Sequence, residues 1–340
     1  MSQATTSPER DAVLWRRAFV GHSTTIWIAT IVLFAVSPLI APGSIGSAAL
    51  LSMLPYAAVL AIVSAGQTLV VQQRGLDLSV PGQMALAAAL ATVLPDTMGV
   101  AVWLAVALGI IVPGVVGLIS GVIVTKTKTT PLVVTLGMNA LLYGSVLQIS
   151  GGTPSAASKG LSSFALAKTA GIPNTVLIAL LLLIVVGFVT RRSIVGRRLT
   201  AVGVSEGAAR ALGLRIDLYQ IIAYGFAGLC YGAGGVLLAG YTQNSALFLG
   251  DSYLLPTVAA VVLAGTALTG GLASVVSAGV AALFLTQLDQ LMLSMGWPDS
   301  TQLSAQAVVL ILVVLLREAI PLTARRWRQR RTAAQVIAPN

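Results

Sequence analysis

Ionisable side chains are scarce in the apolar parts of this sequence, and none of them pairs a nucleophile with a base. His22 is the only histidine and Cys230 the only cysteine, so an intrachain disulfide cannot form. The few charged residues near the apolar segments are Arg74, Asp77, Asp217, Asp251, Asp289, Arg317 and Glu318. We predict a chain that is not an enzyme and that has no catalytic residue, no metal site and no cofactor.

One pair of glycines has the spacing of a phosphate-binding loop but lacks its side chains. In Gly265-Thr-Ala-Leu-Thr-Gly270 the next residues are Gly271 and Leu272, where such a loop needs Lys and then Ser or Thr. We therefore predict no nucleotide site here, and we interpret 269–271 as a tight turn between two apolar segments.

Polar side chains inside or beside the apolar segments are candidates for a translocation pathway: Gln67, Asp77, Asn139, Gln148 and Gln287. The alternative role is hydrogen bonding between helices, which is common for amides in membrane bundles. Ion-coupled carriers place ionisable groups in the middle of the membrane, so their scarcity argues against ion coupling, although Asp289 keeps it open. Arg74 and Asp77 are close enough in sequence to pair across Gly75.

The longest charged stretch, 191–217, carries six arginines and contains a candidate docking helix. Ser205 is a good N-cap, Glu206 suits the first turn, and Gly213 can end the helix in a left-handed conformation. Arg210 follows Glu206 at the spacing of a helical ion pair. Ala208, Ala211 and Leu212 form a small apolar face, and so short a helix needs a partner. The stretch is either a docking helix, comprising Ser205, Glu206, Gly207, Ala208, Ala209, Arg210 and Gly213, or an ordinary basic loop.

These stretches connect segments that are apolar enough to cross a membrane. The chain has 340 residues, of which 56% are hydrophobic and 9% charged, against about 25% charged in soluble domains. Ten apolar segments of nearly spanning length recur. They lie at about 24–40, 48–71, 80–94, 100–124, 131–149, 172–190, 218–241, 253–268, 272–293 and 303–320. We predict an all-α polytopic membrane protein.

The distribution of basic residues predicts the orientation. With ten spans, eighteen of the 20 Lys and Arg residues fall on the side of both termini, and only Lys159 and Lys168 fall on the other. The positive-inside rule then places both termini in the cytoplasm. This topology explains the net charge of +10, so the charge does not indicate binding to nucleic acid. The expected contacts of the basic residues are membrane lipids. Asp96, Asp251 and Asp299 are predicted on the outer side.

Three segments follow from this topology: a cytoplasmic N-terminal segment at 1–22, a transmembrane domain at 23–320 with its cytoplasmic loop at 191–217, and a basic cytoplasmic tail at 321–340. Small residues repeat along the seventh span at Gly225, Gly228, Gly232, Gly235 and Ala239, and Gly117 and Gly121 form a second pair. We interpret both patterns as faces for close helix packing.

Four motifs resemble those of the ribose-type permease subunits of bacterial ABC importers. They are Gly75-Leu-Asp77-Leu-Ser79-Val, Pro131-Leu-Val-Val-Thr135-Leu-Gly137, Val202-Gly203 with Glu206-Gly-Ala-Ala209-Arg210 and Gly213, and Ala259-Ala-Val-Val-Leu-Ala-Gly265-Thr with Gly270-Gly271. They occur in the family's order over about 45–320. Gln73-Arg74 and Pro81 depart from the family's usual residues.

The resemblance implies a passive channel half in the bacterial inner membrane. Two permease subunits, identical or different, would form the pathway. Two ATP-binding-cassette ATPases would dock on the loops at 191–217, and an extracytoplasmic binding protein would deliver a sugar. The resemblance also implies that spans two to five and seven to ten are inverted repeats. The alternative is an ion-coupled secondary carrier for a small polar solute, and a membrane-embedded enzyme comes third.

Overall fold

The fold is a bundle of long apolar helices with short helices at its ends. The computed structural model describes residues 8–298, 300–302, 304–305, 307–308 and 311. The predicted tail and most of the predicted tenth span lie outside these residues. The long helices are α1 (Pro8–Ile40), α2 (Ser47–Gln72), α3 (Val80–Met98), α4 (Val102–Thr127), α5 (Pro131–Ser150), α7 (Asn174–Arg192), α10 (Ile216–Thr242) and α12 (Val275–Ser294).

The shorter elements connect these helices at the two ends of the bundle. The short helices are α6 (Lys159–Leu166), α8 (Ile194–Val204), α9 (Glu206–Ala211) and α11 (Leu254–Leu263), and 3-10 turns cover Pro42–Ile45 and Asp251–Tyr253. Two antiparallel pairs of two-residue strands join β1 (Ser155–Ala156) to β4 (Asn244–Ser245) and β2 (Lys168–Thr169) to β3 (Ile172–Pro173).

Six of the described helices, α2, α4, α5, α7, α10 and α12, are long and apolar enough to cross a membrane. Two shorter apolar helical stretches lie at Thr24–Ile40 and Asp251–Leu263. A bilayer core is about 30 Å thick, which a helix crosses in about 20 residues. The helices therefore suit a multi-pass membrane protein, as the sequence predicts.

Glycines allow α10 to pack closely against α4 and α3. A Cβ on Gly232 would lie 2.7 Å from the carbonyl oxygen of Gly109, and one on Gly228 would collide with the backbone of Pro113. On α4, a Cβ on Gly121 would lie 2.8 Å from the Cα of Ile221. The predicted interpretation of both glycine patterns as packing faces is confirmed.

Two long helices are each followed by an irregular stretch and then another helix. After α2, Arg74 takes a φ of 65° and the chain runs without helix to Ser79, where α3 begins. After α10, Gln243 takes a φ of 62°, and the chain passes through β4 and the turn at Asp251–Tyr253 into α11. These two stretches, 73–79 and 243–253, are called the first and second breaks below.

The second break packs against α3, the helix that follows the first break. A Cβ on Gly250 in the second break would lie 2.5 Å from the carbonyl oxygen of Pro81, in the first turn of α3. Nearer the end of α3, the hydroxyl of Thr92 donates to that of Ser245 at 2.8 Å. The second break therefore runs along α3 from its C-terminal part to its first turn.

The predicted bounds of the eighth span are wrong. The sequence suggested 253–268, but α11 has ten residues and ends at Leu263. At about 1.5 Å per residue it is about 15 Å long, which is half the thickness of a bilayer core. The reason lies in the glycines that follow, because Gly265, Gly270 and Gly271 have φ values of 92°, 85° and 113°, outside helical geometry.

Candidate coupling surface and translocation pathway

The short helix predicted at 205–213 is present as α9, with both ends stabilised by local hydrogen bonds. Ser205 is the N-cap, and its hydroxyl accepts a hydrogen bond from the backbone N–H of Ala208 at 3.3 Å. At the other end Gly213 has a φ of 74°. The N–H of Leu214 donates to the carbonyl of Ala209 and that of Gly213 to the carbonyl of Arg210, both at 3.0 Å. This is the Schellman arrangement, which holds a helix end at a left-handed glycine.

One side of α9 is attached to the ends of the membrane helices. Ala209 is 1% exposed and belongs to a buried apolar cluster. Its other members come from α2, α7, α8, α10 and α12: Ala65, Leu69, Val186, Leu199, Val202, Ile216, Tyr219, Ala223 and Val275. Ala209 therefore packs in one buried cluster with residues of four long helices.

The other side of α9 is open. Gly207, Ala208, Arg210, Ala211 and Gly213 are exposed. Leu212 is 75% exposed and Val204, at the end of α8, is 54% exposed. The predicted apolar face of Ala208, Ala211 and Leu212 is thus unoccupied by any described part of the chain, as a docking surface requires. We call the exposed residues of 204–213 the coupling surface.

Three consecutive side chains, from the last residue of α2 into the first break, bond to α8 and to the first residue of α9. Gln72 Nε2 donates to the Thr200 hydroxyl at 3.1 Å and Gln73 Nε2 to the Leu199 carbonyl at 2.9 Å. Arg74 Nη2 donates to the Val204 carbonyl at 3.3 Å, and its Nη1 lies 3.9 Å from Glu206 Oε1. The end of α2 is therefore bonded along α8 as far as the first residue of α9.

Two predicted ion pairs are corrected by this arrangement. Among the described residues, Glu206 pairs with Arg74 rather than with Arg210, and it also accepts a hydrogen bond from Gln220 Nε2 at 3.4 Å. Arg74 in turn does not pair with Asp77. The reason is the fold, because the end of α2 approaches α9 while Asp77 turns into the protein.

The glycine turn that follows α11 contacts the end of α2. The N–H of Gly271 donates to the carbonyl of Gln72 at 3.1 Å, and that carbonyl also lies against Gly203 of α8, where no Cβ would fit. The predicted turn is present, with Gly270 beside Arg74. Two of the four sequence motifs therefore meet at the end of α2, directly before the first motif begins at Gly75.

Asp77 is fully buried and organises the first break. Its Oδ1 accepts hydrogen bonds from the backbone N–H of Ser79 at 2.9 Å and from the Ser79 hydroxyl at 2.5 Å. Gln83 Nε2 donates to the Ser79 hydroxyl at 2.7 Å. Pro81 occupies the first turn of α3, where a missing N–H costs nothing. The carboxylate thus fixes the start of α3.

The structure does not bring the five predicted pathway residues together. Gln67 accepts a hydrogen bond from the Tyr231 hydroxyl at 2.6 Å between α2 and α10, and Gln287 donates to the Ser37 hydroxyl at 3.1 Å between α12 and α1. Both amides are fully buried, so interhelical bonding describes them better than a pathway role. Asn139 and Gln148 lie on α5, where Asn139 Oδ1 accepts from the N–H of Gly82 at 2.8 Å and Gln148 is exposed.

Sequence reasoning missed one polar and aromatic group beside Asn139. The Tyr143 hydroxyl, one turn further along α5, donates to Asp251 Oδ1 in the second break. The rings of Tyr143 and Phe248 meet edge to face with centroids 5.0 Å apart. The only local signal was the four-residue spacing of Asn139 and Tyr143, because Asp251 is distant in sequence and had been assigned to an outer loop.

Comparison with known proteins identifies the family. Residues 49–316 match the family described as "Branched-chain amino acid transport system / permease component". The chain belongs to this family. This permease is 30% identical to the ribose import permease protein RbsC of Escherichia coli K12 over 85% of its own length and 91% of the relative's. It is 28% identical to RbsC of Bacillus subtilis 168, over 78% of its own length and 84% of the relative's.

A third relative carries a different name. The permease is 30% identical to the autoinducer 2 import system permease protein LsrD of Escherichia coli K12, over 75% of its own length and 79% of the relative's. No solved structure matches the chain. The matches include every candidate residue discussed above. The chain is therefore a transport permease of the inner membrane and not an enzyme, as the sequence predicts, and the alternative of an ion-coupled carrier is not favoured.

Proposed function

We propose that this permease forms one half of the membrane pathway of an ABC importer for a small neutral sugar. The family membership supports the transport role, and the two ribose import permeases among the relatives support the cargo class. The observation that carries the mechanism is the coupling surface, which is exposed on one side and packed into four long helices on the other.

An ATP-binding-cassette ATPase docks on the coupling surface in this proposal. Leu212 and Ala208 offer an apolar contact and Arg210 a charge, while Ala209 faces inward. Movement of the ATPase on ATP binding displaces α9, and the Ala209 cluster and the Gln72–Arg74 bonds transmit the displacement to α2, α7, α10 and α12. Family membership implies ATPase and binding-protein partners in general, and the docking residues named here are part of the proposal.

The proposed topology has ten spans with both termini in the cytoplasm. The six long apolar helices, the stretches Thr24–Ile40 and Asp251–Leu263, and α3 support nine of them, and the tenth falls mainly beyond the described residues. Under this topology the N-terminal segment at 1–22, the loop at 191–217 and the tail at 321–340 are all cytoplasmic. The basic residues on that side support the orientation.

Two inverted repeats account for the paired breaks. In each half a helix of similar length, 26 residues in α2 and 27 in α10, ends at a residue of positive φ and is followed by an irregular stretch and a further helix. In the proposed topology α2 runs inward and α10 outward, so their breaks enter the membrane from opposite sides, and the second break reaches the first turn of α3 where Gly250 packs on Pro81.

A second permease subunit, identical or different, packs on α5 in this proposal. Gly137 and Gly144 have no neighbouring atom within 4 Å of an added Cβ, and Gln148 is exposed on the same helix. An amide facing lipid is unfavourable, whereas a pathway between two subunits would hydrate it. Asn139 and Gln148 are thus the predicted pathway residues that remain in the proposal, with Asp77, Gln67 and Gln287 supporting the helices.

The docking proposal is tested with the purified permease and the ABC ATPase that forms an importer with it. Leu212→Glu places a charge on the exposed apolar face and leaves the Ala209 cluster untouched, so we expect ATPase binding to fall at least tenfold while the permease stays folded. Leu166→Glu, at a 43%-exposed leucine near the opposite end of the bundle, is the control. Unchanged binding by Leu212→Glu would contradict the docking role.

A further inference from the structure

We propose that Asn139, Tyr143, Phe248 and Asp251 form a weak binding site for a neutral polyhydroxylated molecule on its way through the membrane. The inference rests on the proposed function, because it names the residues that contact the sugar. These four side chains are called the polyol site below.

The polyol site lies at the level of the membrane interior. Asp251 directly follows Gly250, which packs on Pro81 in the first turn of α3, far from the other end of that helix at Met98. Tyr143 lies near the middle of α5, a helix of 20 residues and about 30 Å. Both residues are therefore well inside the hydrocarbon thickness rather than in an outer loop.

A carboxylate at this depth needs water or a partner. Asp251 is exposed on the surface of this single chain. The ion pairs among the described residues are Arg74 with Glu206 and Lys126 with Asp217, so Asp251 has no cation in that part of the chain. Ionised groups facing lipid cost several kcal/mol, and those retained in membrane helices face cavities or water-filled paths. Asp251 therefore marks the wall of a hydrated pathway.

The donors and acceptors of the polyol site are only partly used within the chain. Tyr143 donates to Oδ1 of Asp251, which leaves Oδ2 without a hydrogen bond among the described residues. Asn139 Oδ1 accepts from Gly82, and the side-chain amide of Asn139 also bonds to the Tyr143 hydroxyl, so one of the two N–H groups of its NH₂ remains as a donor. One free acceptor next to one free donor suits a pair of adjacent hydroxyl groups, each of which donates and accepts.

The aromatic rings add an apolar surface beside these groups. Phe248 is 48% exposed and packs edge to face on Tyr143. The C–H face of a sugar ring is apolar and stacks on such a ring, while its hydroxyls reach the carboxylate and the amide. Two or three hydrogen bonds and one ring contact hold a cargo weakly, as passage through a pathway requires.

The test uses the complete importer in proteoliposomes, with ATPase and binding protein present. ATP-driven uptake of ribose and 2-deoxyribose is measured for Asp251→Asn, Tyr143→Phe and Phe248→Ala. The matched controls are Asp96→Asn in the exposed C-terminal part of α3, Tyr241→Phe in α10, and Phe188→Ala on the exposed face of α7. The ATPase rate stimulated by the binding protein is recorded for each variant.

We expect all three site variants to lower sugar uptake roughly threefold to tenfold. Asp251→Asn and Tyr143→Phe should also shift the ratio of ribose to deoxyribose uptake, because they alter hydrogen bonding, whereas Phe248→Ala removes a ring contact and should lower the uptake of both sugars. The stimulated ATPase rate and the controls should stay unchanged. Unaltered uptake ratios in Asp251→Asn and Tyr143→Phe, or an equal loss of uptake and ATPase stimulation, would overturn the polyol site. A wild-type importer that moves polyamines or amino acids but no sugar would instead refute the proposed cargo.

Discussion

The backbone carbonyl of Gln72, at the end of α2, lies against Gly203 of α8 so closely that no side chain fits between them. The same carbonyl accepts a hydrogen bond from Gly271, so three distant parts of the chain share one contact point. Because Gly203 and the coupling surface belong to one short segment, this contact links the surface directly to a membrane helix.

Replacing Gly203 should separate α8 from α2. We expect Gly203→Ala to destabilise the permease by about 1–3 kcal/mol, since overpacking forces the backbone to shift, and to reduce ATP-driven uptake more than the loss of folded protein explains. Thermal unfolding in detergent and uptake are measured together. Gly160→Ala is the control, because nothing lies within 4 Å of its added Cβ. Equal behaviour of the two variants would contradict the close contact.

The left-handed residue at the end of α9 gives a second prediction. Nothing lies within 4 Å of a Cβ added at Gly213, so Gly213→Ala causes no steric clash. It does place an L-amino acid at a φ of 74°, which costs about 1–2 kcal/mol of folding free energy. We expect weaker ATPase binding, because the last turn of α9 loosens. Gly171→Ala, at a φ of 81° in an exposed loop, carries the same backbone cost away from the coupling surface. ATPase binding affected to the same extent by both changes would contradict the prediction.

The ion pair between Arg74 and Glu206 should contribute little by itself. Its atoms are 3.9 Å apart and the side chains are 42% and 37% exposed, so solvent screens the attraction. We expect a double-mutant cycle with Arg74→Ala and Glu206→Ala to give a coupling free energy below about 1 kcal/mol. Each single change also removes one further hydrogen bond, from Arg74 to the Val204 carbonyl or from Gln220 to Glu206, so the two single variants should cost similar amounts. A coupling free energy of several kcal/mol would show that the pair is shielded from water.

The proposed membrane orientation can be measured by labelling introduced cysteines, without removing the native Cys230. Cys230 is buried, so it should not react with a membrane-impermeant maleimide in intact cells. Gly160→Cys is exposed and should be labelled from outside, whereas Gly207→Cys, also exposed, should be labelled only after the membrane is opened. Labelling of both positions in intact cells would refute the ten-span topology.

The sequence predicted the elements that are stabilised by contacts between residues close together in the chain. The cap at Ser205 and the left-handed Gly213 both follow from neighbouring residues, and the glycine spacing of α10 directly encodes its packing face. Contacts between distant residues were not predictable from one sequence. Glu206 pairs with Arg74 instead of Arg210 because α2 ends beside α9. This arrangement depends on the tertiary structure and is not encoded in the residues next to Glu206.

The depth of Asp251 was unpredictable for a similar reason. A polar stretch after a span is normally an outer loop, and periodicity does not distinguish it from a break that re-enters along another helix. The short α11 and the contact of Gly250 with Pro81 show that the stretch runs back along α3, and in the proposed topology this is a re-entry into the membrane. The pathway prediction from sequence names Gln67 and Gln287, which the fold packs between helices, whereas the Tyr143 and Asp251 pair of the proposed polyol site depends on a contact between distant residues.

The most direct test of the account is sugar uptake into proteoliposomes that contain the permease with or without its ATPase and binding protein. We expect accumulation of radiolabelled ribose only with ATP and all three components, and undiminished accumulation when an ionophore collapses the proton gradient. Accumulation by the permease alone, driven by an ion gradient, would contradict the account.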